Sequence, residues 1–127
     1  MYEQWADRRG MRISRLHSEE HLYAVSGLGA AAILAPESGL HLFEAVDDAD
    51  DRRVERLHAL VEVVSWMPAP VESDLAERAR EALERSETRS IVVRRYRAEP
   101  APLVRDAVRR YRTGRLERVL AGDFDLF

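Results

Sequence analysis

The sequence contains no cysteine and no lysine, and only 7% of its residues are aromatic. Without cysteine the chain cannot form a disulfide, bind zinc through thiolates or use a thiol nucleophile. A chain without cysteine also suits a reducing compartment, so we expect a cytoplasmic protein. Without lysine the chain cannot contain the G-x-x-x-x-G-K-[ST] loop that binds nucleotide phosphates.

Long hydrophobic runs are also missing. The longest uninterrupted apolar run covers residues 30–35, whereas about 18 apolar residues are needed to span a bilayer. The N-terminal residues MYEQWADRRG carry charges where a signal peptide requires an apolar stretch. We therefore expect no membrane partner. With 46% hydrophobic residues, six glycines and five prolines, the composition fits one compact domain over residues 1–127.

The hydrophobic patterning predicts an α+β fold with a mostly antiparallel sheet and two main helices packed on it. The predicted strands are Met11–Leu16, Leu22–Val25, Leu40–Val46, Leu57–Ser65 and Ile91–Tyr96, and the predicted helices are Leu28–Ala35 and Leu75–Ser86, with shorter helical turns near the two ends. The class of the segment from Leu103 to Tyr111 stays open. The predicted core consists of Trp5, Ile13, Leu16, Val25, Ile33, Leu34, Leu42, Val61, Val63, Leu83, Val92, Leu116, Val119 and Leu120.

The charges are distributed unevenly. Residues 89–118 contain ten arginines against three acidic residues, for a net charge of +7, whereas residues 1–88 contain ten arginines against eighteen acidic residues, for −8. A basic segment with interspersed tyrosines is compatible with RNA binding, and a solvated, salt-bridged surface is the simpler interpretation. The residues that we predict to contact RNA or another partner are Arg94, Arg95, Arg97, Arg105, Arg109, Arg110 and Arg112.

The remaining polar groups do not indicate an enzyme or a metal site. His17 and His21 are four residues apart, but a polar turn separates them and no third ligand follows at a diagnostic spacing. The acidic segment of residues 47–53 has the composition of an exposed hairpin tip. A calcium-binding loop is not indicated there, because no register supplies its Gly and Glu. No serine lies in a G-x-S-x-G turn. We expect no catalytic residue, cofactor or metal.

Three stretches resemble the class-I bacterial peptide chain release factors. MYEQWADRRGMRI resembles the start of the codon-reading region, AILAPESGLHLFEAV resembles the segment that leads to the codon-reading tip, and RSIVVRRYRAEPAPLVRDAVRRYRTGRLERVLAGDFDLF is similar to the closing domain. The tail is the most specific part, because Thr113-Gly114, Leu116, Val119-Leu120, Gly122-Asp123 and Phe127 keep the family's spacing. The resemblance covers about four-fifths of the chain and implies a release-factor-like fold.

The departures from the family concern its two active elements. The family's Gly-Gly-Gln tripeptide, which acts in peptidyl-tRNA hydrolysis, does not occur in this sequence. The positions that match the codon-reading tripeptide are Asp47, Asp48 and Ala49, and a carboxylate would be repelled by the phosphates of a decoding site. Leu42 stands where the family has an arginine. The resemblance therefore implies a scaffold without hydrolysis and without stop-codon reading.

Two functional hypotheses lead, and a hydrolase with an unrecognised site is a third. The first is a non-catalytic release-factor-like module that docks on another protein or on an upstream domain of the same polypeptide, of which this chain would be the C-terminal part. The second is a ribosome- or RNA-binding domain that uses the arginine-rich segment 89–118, and it predicts an affinity that falls steeply with salt. Neither hypothesis calls for a DNA partner.

Overall fold

The computed structural model describes residues 1–17, 21–47, 50–65, 75–86 and 90–125. It confirms the α+β class, with a two-stranded sheet, a five-stranded sheet and helices. The helices are α1 (Tyr2–Arg9), α2 (Ala30–Leu34), α3 (Leu75–Glu84) and α4 (Leu116–Leu120), and a 3₁₀ turn covers Ala35–Glu37. The strands are β1 (Arg12–Arg15), β2 (Tyr23–Ser26), β3 (Gly39–Asp47), β4 (Asp50–Val61), β5 (Val92–Arg97), β6 (Leu103–Asp106) and β7 (Tyr111–Thr113).

The large sheet has the strand order β4-β3-β5-β6-β7. β3 pairs antiparallel with β4 and parallel with β5, whereas the pairs β5–β6 and β6–β7 are antiparallel. The chain passes from β4 through α3 to β5. β5 then pairs with the edge of β3 that β4 does not occupy, and this is the single parallel pair. β1 and β2 form the separate antiparallel hairpin.

Successive side chains of a strand point to opposite faces of a sheet, and burial separates the two faces here. On β5 and β6, Arg94, Tyr96, Val104 and Asp106 are buried, whereas the intervening Arg95 and Arg105 are exposed. We call the buried side the inner face and the other side the outer face. The helix α1 and the C-terminal segment pack on the inner face.

The core joins the beginning and the end of the chain. Trp5 of α1 and Phe124 are both buried, with ring centroids 5.8 Å apart, and Tyr2 meets Phe124 edge-on at 5.5 Å. Gly122 has a φ of +106°, and a Cβ there would lie 2.6 Å from the backbone nitrogen of Trp5. Glycine is therefore required for the C-terminal segment to approach α1 this closely.

Side-chain hydrogen bonds reinforce this contact between α1 and the C-terminal segment. Asp123 accepts from Arg8 and Arg118. Asp125 accepts from the indole N–H of Trp5 at 3.1 Å and from Nε of Arg9 at 3.0 Å. We call the contact of Gly122, Asp123, Phe124 and Asp125 with α1 the terminal clasp.

Several boundaries differ from the sequence prediction. β4 begins at Asp50, seven residues before the predicted start at Leu57, and ends at Val61, so residues 62–65 do not extend it. The prediction of a loop over residues 47–53 is therefore wrong for Asp47 and for 50–53, because cross-strand pairing with β3 overrides the low strand propensity of Asp. Asp48 and Ala49 of the predicted tip lie outside the described residues, as does the segment 67–70.

The predicted helix Leu28–Ala35 is shorter than expected. α2 begins at Ala30, and the 3₁₀ turn that follows it contains Pro36. The predicted helix Leu75–Ser86 is confirmed as α3, which ends at Glu84, and the short predicted helix near Leu116 is confirmed as α4. Among the described residues, no helix combines the length and the apolar character needed to cross a bilayer.

The predicted core is confirmed only in part. Trp5, Leu116 and Val119 are buried, and Ile13, Val25, Ile33, Leu34 and Leu120 are partly buried against them. Phe124, Tyr96, Val104 and Ala6 belong to the core without having been predicted.

Candidate binding surface

Two clusters of arginines occupy opposite faces of the same strands. The first, which we call the buried arginine cluster, consists of Glu37, Arg94, Asp106 and Arg109. Arg94 lies on the inner face of β5 and is 1% exposed, and Glu37 at the end of the 3₁₀ turn is fully buried. Nη1 of Arg94 donates to Oε1 of Glu37 at 2.9 Å, and Nη2 of Arg94 donates to Oε2. This fork-to-fork geometry is the strong, bidentate form of an arginine–carboxylate pair.

Asp106, at the end of β6, supplies the second carboxylate. Its Oδ2 accepts from Nε and Nη2 of Arg94 at 3.0 and 2.9 Å, and from Nη1 of Arg109 at 3.1 Å. Its Oδ1 accepts from the backbone N–H groups of Val108 and Arg109 at 3.0 and 2.7 Å, which fixes the turn that follows β6. Asp106 therefore joins the sheet to the turn that brings Arg109 into the cluster.

Arg109 completes the cluster. It donates to Glu37, and its Nη2 donates to the backbone oxygen of Ile33 at 2.7 Å. Phe124 packs against both guanidinium groups, whose central carbons lie 5.2 Å (Arg94) and 5.3 Å (Arg109) from its ring centroid. The two arginines and two carboxylates of this cluster balance each other in charge. Through its contacts the cluster connects β5, β6, the 3₁₀ turn and the terminal clasp.

A chain of hydrogen bonds links this cluster to His41. Nη1 of Arg94 donates to the hydroxyl oxygen of Tyr96 at 2.9 Å, and that hydroxyl lies 2.9 Å from Nδ1 of His41. Nε2 of His41 lies 2.9 Å from the backbone oxygen of Glu37, which can only accept. Nε2 therefore carries a proton and donates to this oxygen. The network accommodates a neutral His41, in which Nδ1 accepts from the hydroxyl of Tyr96.

The electrostatics follow from this arrangement. Burial lowers the pKa of His41, against an opposing effect of Glu37. Burial is the largest single effect on the pKa of Arg94 and lowers it, but Glu37, Tyr96 and Tyr111 together raise it by more, so that the net pKa lies above the ordinary value. Burial raises the pKa of Tyr96 to about 12, although Arg94 opposes this shift. All these groups keep the charge states that the hydrogen bonds require at neutral pH.

The second cluster lies on the outer face, and we call it the arginine row: Arg95 of β5, Arg105 of β6 and Arg112 of β7. Arg95 is paired directly with Arg105, and Arg105 directly with Arg112. All three are exposed. Neighbouring strands are about 4.8 Å apart, so the row extends for about 10 Å across three strands.

A second line of side chains runs beside the row. It consists of Arg56, Glu44, Arg97 and Leu103, one each from β4, β3, β5 and β6, in direct register with one another. Glu44 lies 3.5 Å from Nη1 of Arg95 and 3.7 Å from Nε of Arg56. The two lines border a shallow depression of about 340 Å³, lined by the arginine row together with Glu44, Tyr96, Arg97 and Leu103. This basic depression is the candidate binding surface.

The structure divides the predicted contact residues into three groups. Arg94 and Arg109 are removed from the predicted surface, because their guanidinium groups are committed to buried carboxylates. Arg95, Arg105 and Arg112 come together on the outer face, with Arg97 next to them. Arg110 is exposed in the turn between β6 and β7, outside the row, with a φ of +60°.

The sequence contained one signal for the buried cluster. The strand VVRRYR has two consecutive arginines, and strand alternation requires one of them to point inward. Its partners Glu37 and Asp106 stand at the ends of other elements, where no pattern marks them as buried. Within the described part of the chain, no group of three His, Asp or Glu side chains could hold a metal ion.

No protein-family model matches the chain, and no curated protein matches it.

Proposed function

We propose that this chain is a non-catalytic, release-factor-like binding module that docks on a protein, or on another domain of its own polypeptide, through the arginine row. The observation that carries the proposal is the direct cross-strand pairing of Arg95, Arg105 and Arg112 on an exposed face. Like charges that face each other across strands destabilise a sheet by roughly 0.2–1 kcal/mol per pair. A partner with negative groups would remove this repulsion on binding.

The buried arginine cluster supports the non-catalytic part of the proposal. Catalytic groups need access to a substrate, whereas Glu37, Arg94 and Asp106 are each 4% exposed or less. Together with Arg109 their charges balance, and the hydrogen bonds of both carboxylates are made within the protein. The cluster therefore has the properties of a structural ion network. The sequence also lacks the Gly-Gly-Gln tripeptide with which the release factors act in hydrolysis.

The terminal clasp supports the proposal of a release-factor-like scaffold. The tail was the most specific part of the sequence resemblance, and its residues Gly122 and Asp123 have defined packing roles against α1. The N-terminal stretch of the resemblance supplies the other side of the same contact through Trp5 and Arg8. Two resembling stretches at opposite ends of the sequence thus act together in one structural unit.

A triple charge reversal tests the docking surface. The variant Arg95→Glu/Arg105→Glu/Arg112→Glu removes the row, and the control Arg12→Glu/Arg78→Glu/Arg85→Glu makes the same change in net charge at exposed arginines elsewhere. We expect the row variant alone to lose binding to an immobilised polyglutamate probe in 0.15 M salt, while both variants keep the wild-type circular dichroism spectrum. Equal losses for the two variants, or retention by the row variant, would contradict docking through the row.

A release assay tests the absence of catalysis. The purified chain is added to ribosomes that carry peptidyl-tRNA at a stop codon, and the freed peptide is measured against a buffer control. We expect no release above the control. Measurable hydrolysis would refute a non-catalytic module whatever the row binds.

A further inference from the structure

The outer face carries aliphatic side chains beside its arginines, so a partner that binds there would contact both kinds of side chain. Leu42 of β3 is paired directly with Arg95, so it continues the line of the arginine row toward β4. Leu103 of β6 is paired directly with Arg97 in the neighbouring line. Both leucines are partly exposed. A partner that covers the row therefore also covers aliphatic surface.

We propose that the arginine row recognises an acidic protein segment in which Asp or Glu residues are interspersed with aliphatic side chains. This inference rests on the proposed function and names the chemistry of its partner. The carboxylates would pair with Arg95, Arg105 and Arg112, and the aliphatic side chains would cover Leu42 and Leu103. Arginine suits this role because its planar guanidinium binds a carboxylate through two parallel hydrogen bonds.

Glu44 gives an internal example of the pairing. Its carboxylate lies at the margin of the row, 3.5 Å from Arg95, so this surface already holds a carboxylate of its own chain. Exposed pairs of this kind are individually weak, about 0–1 kcal/mol, and leave the guanidinium groups available for further contacts. A partner carboxylate can use the same geometry at Arg105 and Arg112.

RNA fits this surface less well than an acidic peptide. Sheets that bind single-stranded RNA stack bases on exposed aromatic side chains. The described aromatic rings of the large sheet, Phe43, Tyr96 and Tyr111, pack toward the core on the inner face. Apart from the exposed His58, which is paired with Leu42, the described outer face would offer a nucleic acid only phosphate contacts.

Three fluorescent probes separate the possible partners. The first is a twelve-residue peptide in which Glu alternates with Leu, the second has Ser in place of each Leu, and the third is a twelve-nucleotide polyuridylate. Anisotropy titrations use the wild-type chain, the row variant and the matched control variant at 0.05 and 0.15 M salt. Circular dichroism melts of each variant establish that it is folded.

The acidic-aliphatic partner predicts a specific pattern. The Glu–Leu peptide should bind at least tenfold more tightly than the Glu–Ser peptide and the polyuridylate. The row variant should lose at least tenfold in affinity for it, and the control variant less than threefold.

Any other pattern of affinities would contradict either the aliphatic component, the protein partner or the proposed function. Equal affinities for the two peptides would overturn the aliphatic component and leave docking through the row intact. Tighter binding of polyuridylate that depends on the row would overturn the protein partner in favour of RNA. If no probe depends on the row arginines, the proposed function itself falls.

Discussion

Arg94 and Arg95 are neighbours in one strand, yet they belong to opposite kinds of environment. Arg94 points to the inner face and is saturated by Glu37 and Asp106, whereas Arg95 points to the outer face and lines up with Arg105 and Arg112. The buried arginine cluster is neutral and closed, and the arginine row is positive and open. The alternation of a strand, rather than the local charge density of the sequence, therefore decides whether an arginine stabilises the fold or is available for a partner.

Replacing Arg94 should lower the free energy of unfolding far more than replacing its neighbour Arg95. Arg94→Met leaves Glu37 and Asp106 buried with only one arginine between them, so we expect a loss of about 3–5 kcal/mol in the free energy of unfolding. Arg95→Met should change it by less than about 0.5 kcal/mol. Urea denaturation followed by circular dichroism measures both. Similar losses in the two variants would mean that the faces do not differ as described.

The link between the buried arginine cluster and His41 should have the next largest effect. Tyr96→Phe removes the hydroxyl that accepts from Arg94 and is hydrogen-bonded to Nδ1 of His41. Leaving a buried polar group unsatisfied costs about 1–3 kcal/mol, so the free energy of unfolding should fall by that amount. Tyr23→Phe is a control, because Tyr23 lies in the β1–β2 hairpin, outside the buried cluster. A Tyr96→Phe variant as stable as the wild type would refute the link.

The buried side should also respond to pH. Burial lowers the pKa of His41 below its ordinary value of 6.5, with Glu37 and Asp106 opposing and Arg94 reinforcing this shift. Below pH 6.5 the unfolded chain binds a proton at this residue that the folded chain does not, so stability should fall as the pH drops from 6.5. Urea midpoints at pH 7.5, 6.0 and 5.0 measure the trend.

His41→Gln should flatten this pH dependence, and His58→Gln at an exposed position of β4 should leave it unchanged. Asp123 adds a further loss in more acidic solution, because its hydrogen bond with Arg8 lowers the pKa of its carboxyl. A wild-type stability that stays constant from pH 7.5 to 5.0 would contradict a neutral, buried His41.

The smallest expected effect concerns the exposed side and has the opposite sign. Arg105→Glu places a carboxylate between Arg95 and Arg112, so two repulsive cross-strand pairs become attractive. We expect a gain of about 0.5 kcal/mol in stability, which 0.5 M salt should reduce. Arg12→Glu serves as the control. A stability loss in Arg105→Glu would show that the row arginines are not in mutual repulsion.

The sequence predicted those elements whose local pattern and tertiary environment agree. α3 and the strands near Ile13, Val25 and Phe43 were found because their apolar spacing matches a helix face or a half-buried strand. β4 was placed too late, since its first residues are charged and its position is decided by pairing with β3. The class of the segment with β6 stayed open and β7 was not identified, because each strand is short and contains charged residues beside its few apolar ones.

The sequence predicted that the candidate surface is rich in arginine, but not which arginines share one face of the sheet. The arginine-rich segment 89–118 was recognised, but the counting could not divide it into buried and exposed members. That division depends on Glu37, which is 57 residues away from Arg94 along the chain. Contacts between residues so distant in sequence leave no periodic signal in either segment.

The terminal clasp has a consequence for biosynthesis. Phe124 covers the guanidinium groups of Arg94 and Arg109 and packs against Trp5 and Tyr2, which stand far earlier in the sequence. A nascent chain in which Phe124 is still inside the ribosomal exit tunnel has its first helix available but lacks the side chain that seals the core against it. Productive folding of this domain must therefore wait until Phe124 has left the tunnel, and chaperones that guard nascent chains would meet the domain with its interior open.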